Sequence, residues 1–231
     1  MTPPRTRPPV ITIDGPAGSG KSTTAREVAR RLGYRHLDSG ALYRALTFAL
    51  LKAGIPPGEW EEMTPEDLEK LNVAMKPTPT GFHILVRGRE VDAELRSPEV
   101  TRHVSGLARL PAVRGWLLSQ QRDAGREGGL VADGRDMGSV VFPDADLKIF
   151  LTADLHERAR RRLRDEGKTN PTPEEVEEEA VRIEARDRTD AGRALSPLVR
   201  PEGAWVLDTT SLSFEEQVDA IVRRAQSLTQ S

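Results

Sequence analysis

The chain has 231 residues, a formal net charge of −2 and no cysteine. This length suits one domain of ordinary size, or a core with a smaller insert. Near-balanced charge excludes a global field that recruits nucleic acid, absent cysteine excludes disulfides and thiolate metal sites, and no segment is apolar enough to span a membrane.

Residues 1–9 carry prolines and arginines without an apolar stretch, so they are expected to be a loose lead-in and not a secretory signal. A cytoplasmic monomer, bound to neither membrane nor nucleic acid, is the matching expectation. Val10-Ile11-Thr12-Ile13 is a β-branched run that reads as a buried strand. Directly after it, Gly15-Pro16-Ala17-Gly18-Ser19-Gly20-Lys21-Ser22 fits G-x-x-x-x-G-K-[ST], the phosphate-binding P-loop. Glycines there let backbone N–H groups close around phosphate oxygens. Lys21 is placed to reach the β/γ-phosphates, and Ser22 to offer its hydroxyl to Mg²⁺. From Thr23 onward, Ala25, Val28, Ala29 and Leu32 recur at helical spacing, and Gly33 supplies the stop. The positive end of that helix points at the anion. A glycine-rich surface turn is the bland alternative; the order strand, loop, helix argues against it.

Residues 34–37 form a second short strand candidate, ending at Asp38. Residues 41–53 then place Ala41, Leu42, Ala45, Leu46, Ala49 and Leu50 on one helical face. Residues 61–96 break this rhythm. A polar helix candidate is followed by Val73-Ala74-Met75 and Phe82-His83-Ile84-Leu85-Val86, flanking the turn-rich Pro77-Thr78-Pro79-Thr80-Gly81. That pattern reads as a small antiparallel insert. Residues 113–126 look helical. Three more strand candidates follow: Leu130-Val131-Ala132 before Asp133, residues 147–151 before Thr152, and Trp205-Val206-Leu207 before Asp208. The alternation predicts an α/β fold, a P-loop NTP hydrolase-like core of about five parallel strands flanked by helices. Ligands of such sheets sit beyond the carboxyl ends of the strands, which puts the P-loop, Asp38 and Asp133 on one edge.

A second break covers residues 158–193. Arg158, Arg160, Arg161, Arg162 and Arg164 crowd a predicted helix over 155–166. Only six of the 34 basic residues are lysine; arginine is the better fork for phosphates, although a GC-rich gene gives the same bias. After a loop, Thr172-Pro173-Glu174-Glu175 is a capping box with proline at the first helical position. A solvated, salt-bridged hairpin and a lid that closes over polyphosphate both fit this composition. Arg186, Asp190 and Arg193 share a face if the helix persists through Gly192, and an i,i+4 salt bridge between Arg186 and Asp190 is the simplest reading of that pair. Residues 214–228 close the chain as a helix. His36, His83, His103 and His156 are far apart in sequence and read as structural or surface residues.

Four motifs occur in order: the P-loop, Asp38-Ser39-Gly40-Ala41-Leu42-Tyr43-Arg44, Ala132-Asp133-Gly134-Arg135-Asp136-Met137-Gly138, and Arg186-Asp187-Arg188-Thr189-Asp190-Ala191-Gly192-Arg193. With them the sequence resembles the bacterial cytidylate kinase (CMP/dCMP kinase) family, from about Val10 to the final helix. The resemblance implies phosphorylation of CMP and dCMP by ATP with Mg²⁺. It implies a core over residues 10–60 and 97–231, an NMP-binding insert over 61–96 and a helical lid over about 158–193.

It also implies roles. ATP would lie on Gly15, Pro16, Ala17, Gly18, Ser19, Gly20, Lys21, Ser22 and Thr23, with Arg158 and Arg162 as weaker lid candidates. CMP would lie on Ser39, Tyr43, Arg44, Ser105, Arg114, Arg135, Asp136, Arg186, Asp190 and Arg193. Arg44, Arg135 and Arg193 would clamp phosphates, Ser39 would donate a hydroxyl to the acceptor phosphate, and Arg186 and Asp190 would hold the sugar. Asp136, Arg114 and Ser105 match the positions that read the base. Asp133 follows a strand in a Walker-B-like setting; it holds Mg²⁺ through water, orients Lys21, or merely caps a turn. Lys21, Arg135, Arg193 and Asp133 are the expected catalytic residues. A nucleoside monophosphate already presents an anionic nucleophile, so positioning and charge neutralisation suffice without a general base. Two other readings stay open: a different acceptor, such as another nucleotide or a small alcohol, and a non-catalytic nucleotide switch. Intact Lys21, Ser22 and Asp133 count against the switch.

Overall fold

The computed structural model describes residues 7–228, so most of the expected lead-in lies outside the described residues. The strands are β1 (Val10–Asp14), β2 (Arg35–Asp38), β3 (Val73–Pro77), β4 (Phe82–Val86), β5 (Arg89–Glu90), β6 (Leu130–Gly134), β7 (Leu147–Thr152) and β8 (Trp205–Asp208). The helices are α1 (Lys21–Leu32), α2 (Ser39–Lys52), α3 (Pro65–Lys70), α4 (Pro98–Leu107), α5 (Pro111–Ala124), α6 (Leu155–Asp165), α7 (Pro173–Ala191) and α8 (Phe214–Ser227).

Five strands form a parallel sheet in the order β2-β6-β1-β7-β8. β1 is central and buried along its whole length, as a β-branched run covered on both faces must be. On one face α1 and α8 pack Val28, Val218 and Ile221 against Ile11, Ile13 and Ile149. On the other, Leu42, Leu46 and Leu117 of α2 and α5 cover Val10, Leu130 and Ala132. Each fully buried side chain of this size contributes roughly 1.5–3 kcal/mol. The second core continues into the antiparallel sheet β3-β4-β5 through Val73, Ile84 and Val86. The two sheets therefore share one apolar interior.

α6 and α7 make a hairpin with its own cluster, Ala159, Leu163, Val176, Ala180 and Ile183, which also takes in Ala17 of the P-loop. The capping box of α7 forms as expected between Thr172 and Glu175. The helix ends at Ala191, however, with Gly192 as its cap, so it does not persist to Arg193. α4 was not among the expected helices. Ser97 caps it, accepting from the Val100 N–H at 3.4 Å, and Pro98 opens it. Among the described residues no helix is long and apolar enough to cross a membrane.

Sheet register sets the site. Asp14 lies opposite Gly134, and Asp38 opposite Asp133. The turns leaving β1, β2 and β6 thus emerge side by side at one edge.

Candidate active site

That edge opens into a cleft of about 1280 Å³. The P-loop forms one wall. At Gly15 a Cβ would sit 2.0 Å from the Leu151 carbonyl oxygen, so only glycine lets the chain turn back over β7 here. Gly20 enters α1 in the left-handed region, φ 85°. Lys21 folds back along the loop, its Nζ donating to the Pro16 carbonyl at 2.6 Å and to Ser19 Oγ at 3.4 Å. Burial, and then nearby Arg135, hold the Lys21 ammonium well below the usual lysine range.

Ser22 Oγ donates to Asp133 Oδ2 at 2.5 Å, and His36 Nε2 lies 2.7 Å from Asp133 Oδ1. A hydroxyl and a buried carboxylate side by side are hard oxygen ligands suited to Mg²⁺. Among the described residues no group of three or more His, Cys, Asp or Glu can cage a metal. The donor set fits a cation shared between protein and phosphates, as Mg²⁺ commonly is.

Arginines line the middle of the cleft. Buried Asp190 accepts Arg135 Nε at 2.9 Å on one oxygen and Arg193 Nη2 on the other. Asp190 pairs with Arg135 and Arg193, and the simple Arg186–Asp190 salt bridge does not form. The buried Nε of Arg186 has no hydrogen-bond partner. Burial, then Arg135, push the Arg186 guanidinium down to about 10. Arg44 reaches the same space from α2, its Nη1 donating to Thr101 Oγ1 at 2.9 Å and the Leu95 carbonyl at 3.1 Å.

Another part of the lining joins charged, aromatic and hydroxyl side chains. Arg114 pairs with Asp136, both buried, and also donates to the Ala108 carbonyl at 2.8 Å. Its guanidinium lies 5.4 Å from the Tyr43 ring centroid. Burial pushes the Tyr43 hydroxyl up to about 12, so it stays protonated near neutral pH. Ser39 Oγ accepts from Gln121 Nε2 at 2.9 Å, which leaves the hydroxyl proton free to donate. Ser105, on α4, faces the same cleft.

The family model described as Cytidylate kinase matches residues 11–227. The chain belongs to the cytidylate kinase family. It is 43% identical to the cytidylate kinase of Limosilactobacillus fermentum, over 94% of this chain and 95% of that protein. It is also 43% identical to the bifunctional pantoate ligase/cytidylate kinase of Trichodesmium erythraeum, spanning 94% of this chain but only 41% of that longer protein. An uncharacterised protein from Eubacterium ventriosum shares the fold, with a TM-score of 0.50 at 10% identity, over 94% of this chain and 98% of that one. This cytidylate kinase family member is an enzyme of the kinase class.

In this family member the structure gathers most sequence-predicted residues in the cleft: Gly18, Lys21, Ser22 and Thr23 of the P-loop, Arg162 from α6, and Ser39, Tyr43, Arg44, Ser105, Arg114, Arg135, Asp136, Arg186, Asp190 and Arg193. Arg158 is elsewhere. Its guanidinium donates to Asp187 at 2.5 Å, the Ala17 carbonyl at 2.9 Å and the Ala153 carbonyl at 3.1 Å. Asp187, Gln121 and Asp14 escaped the sequence reading. Asp14 accepts the Met137 and Gly138 N–H groups at 2.8 and 2.7 Å, shaping the turn after β6. His36 also differs from expectation, since it lies in the cleft against Asp133, whereas His83 and His156 are on the surface and His103 packs edge-on to Trp60. A polar residue closing a strand (Asp14) and membership of the Arg186–Arg193 motif (Asp187) were visible signals; nothing in the local sequence distinguishes Gln121 from an ordinary helix polar residue.

Proposed function

We propose that this chain transfers the γ-phosphoryl group of ATP to CMP and dCMP, giving CDP and dCDP. The buried Arg114–Asp136 pair beside Tyr43, across the arginines from the P-loop, carries this reading. Cytosine presents an N4 amino donor and N3/O2 acceptors. A carboxylate oxygen of Asp136 suits the donor, and Arg114, with Ser105, suits the acceptors. Arg44, Arg135 and Arg193 take the acceptor phosphate between them, Ser39 adds its hydroxyl, and Arg186 with Asp190 holds the sugar. On the donor side the P-loop amides and Lys21 hold the β- and γ-phosphates. Ser22, and Asp133 through water, would hold Mg²⁺, which neutralises charge building on the transferring group.

The acceptor phosphate oxygen attacks in line and displaces ADP. No side chain need remove a proton, because that oxygen is already ionised. Lys21, Arg135 and Arg193 stabilise the developing charge. Residues 61–96 act as the NMP-binding insert and 158–193 as a lid over the core, closing to exclude water. The setting is a cytoplasmic monomer meeting small nucleotides only.

ATP consumption with CMP, dCMP, UMP and AMP in turn tests the assignment. CMP and dCMP should be turned over best. Equal or better turnover of AMP overturns it.

A further inference from the structure

We propose that His36 is a positioning residue for Asp133, fixing the carboxylate that faces Ser22. This assignment rests on the reading that Ser22 and Asp133 serve Mg²⁺–ATP. Asp133 sits among competing demands. One oxygen meets the Ser22 hydroxyl at 2.5 Å, while Asp38 lies directly opposite in the neighbouring strand. Burial, and then the charge of Asp133, raise the Asp38 carboxyl above its usual range, so the two acids repel. Asp133 is itself almost fully buried and depends on donors to stay where it is.

His36 supplies the donor for Oδ1. The Nε2 lies 2.7 Å from Oδ1, at hydrogen-bond distance, and with its proton it donates to that oxygen. With Oδ1 on His36 and Oδ2 on Ser22, neither oxygen is free to rotate away. The His36 backbone is held in place by the neighbouring turn. The His36 N–H donates to the Thr80 carbonyl at 3.1 Å, and the β3–β4 turn packs so closely that a Cβ on Gly81 would lie 2.9 Å from the His36 oxygen. Groups that orient a metal-binding carboxylate in this way are commonly worth 10–100-fold in metal affinity.

ATP binding measured by calorimetry with and without Mg²⁺ isolates this role. His36→Leu keeps the bulk but cannot donate; it should reduce the Mg²⁺-dependent gain in ATP affinity about tenfold, leaving metal-free ATP binding unchanged. His36→Gln places an amide N–H near the Nε2 position and should retain the gain. His36→Asn is too short to reach Asp133 and should behave as His36→Leu, which covers the case where the leucine variant does not fold. A full gain in both the leucine and asparagine variants, or a glutamine variant that falls as far as they do, overturns the proposal. A wild-type chain with no Mg²⁺-dependent gain would instead defeat the underlying donor-site reading.

Discussion

Asp187 accepts a hydrogen bond from the backbone N–H of Ala17 at 2.8 Å, joining α7 to the phosphate-binding loop. Its second oxygen takes Arg158, which donates in turn to the Ala17 carbonyl. The Ala17 methyl lies in the apolar cluster of the α6–α7 hairpin. Asp187→Asn replaces two acceptor oxygens and a charge with one neutral acceptor. The hairpin should lose about 1–3 kcal/mol of local stability. Amide exchange across residues 173–191 should quicken, and the KM for ATP should rise several-fold. Exchange at the wild-type rate would show that the contact does not hold the hairpin down.

Asp136→Asn tests the proposed base recognition while keeping one acceptor for Arg114. Truncation to alanine is a poorer choice, because it strands a buried guanidinium at a cost of about 3–5 kcal/mol. The preference for CMP over UMP, taken as the ratio of kcat/KM values, should shrink by about tenfold, equivalent to roughly 1.4 kcal/mol. A ratio equal to wild type would remove Asp136 from base recognition.

Lys21→Met separates stability from catalysis. Burial already disfavours the ammonium, so an apolar side chain of similar length should leave Tm unchanged or raise it. kcat should fall by about 10²–10³, the usual loss for a donor that meets developing charge. Near-normal turnover would take Lys21 out of the reacting centre.

Asp14 gives the fold a pH dependence of definite sign. Burial lifts its carboxyl from 3.8 to about 7, against the pull of the Gly138 and Met137 N–H donors. Between those values the native chain binds a proton that the unfolded chain has released. Its contribution to stability therefore falls as pH rises from about 4 to about 7, and levels off above. Asp14→Asn should flatten that slope in Tm measured against pH, even while losing one backbone hydrogen bond at every pH. An unaltered slope would mean that the two amides keep Asp14 ionised throughout.

The sheet was legible because short apolar runs, β-branched in Val10–Ile13 and mixed in Leu147–Leu151, each closed by a polar residue, leave few alternatives for Val10–Asp14 or Leu147–Thr152. The P-loop was legible because its chemistry is contiguous. α4 had a readable start in Ser97-Pro98-Glu99 and buries Val100, Val104 and Leu107 at helical spacing, but it is only ten residues long and escaped the sequence reading. Partnerships across the fold were not legible. Asp190 has Arg186 one turn away and Arg193 just beyond the helix end, yet it pairs with Arg193 and with Arg135, 55 residues distant. Gln121 meets Ser39 and His36 meets Asp133 only because α5, α2 and the β2–β6 pair converge on one edge.

The bond between Arg158 and the Ala17 carbonyl has a directional consequence. That carbonyl belongs to the peptide unit shared with Gly18. A trans peptide is planar and sets its C=O and N–H antiparallel, and the described chain contains no cis peptide. Drawing the oxygen toward Arg158 turns the Gly18 N–H the opposite way. Gly18 borders the cleft and Arg158 does not. Arg158 thus fixes the direction of the Gly18 amide through a rigid plane, in addition to pairing its charge with Asp187.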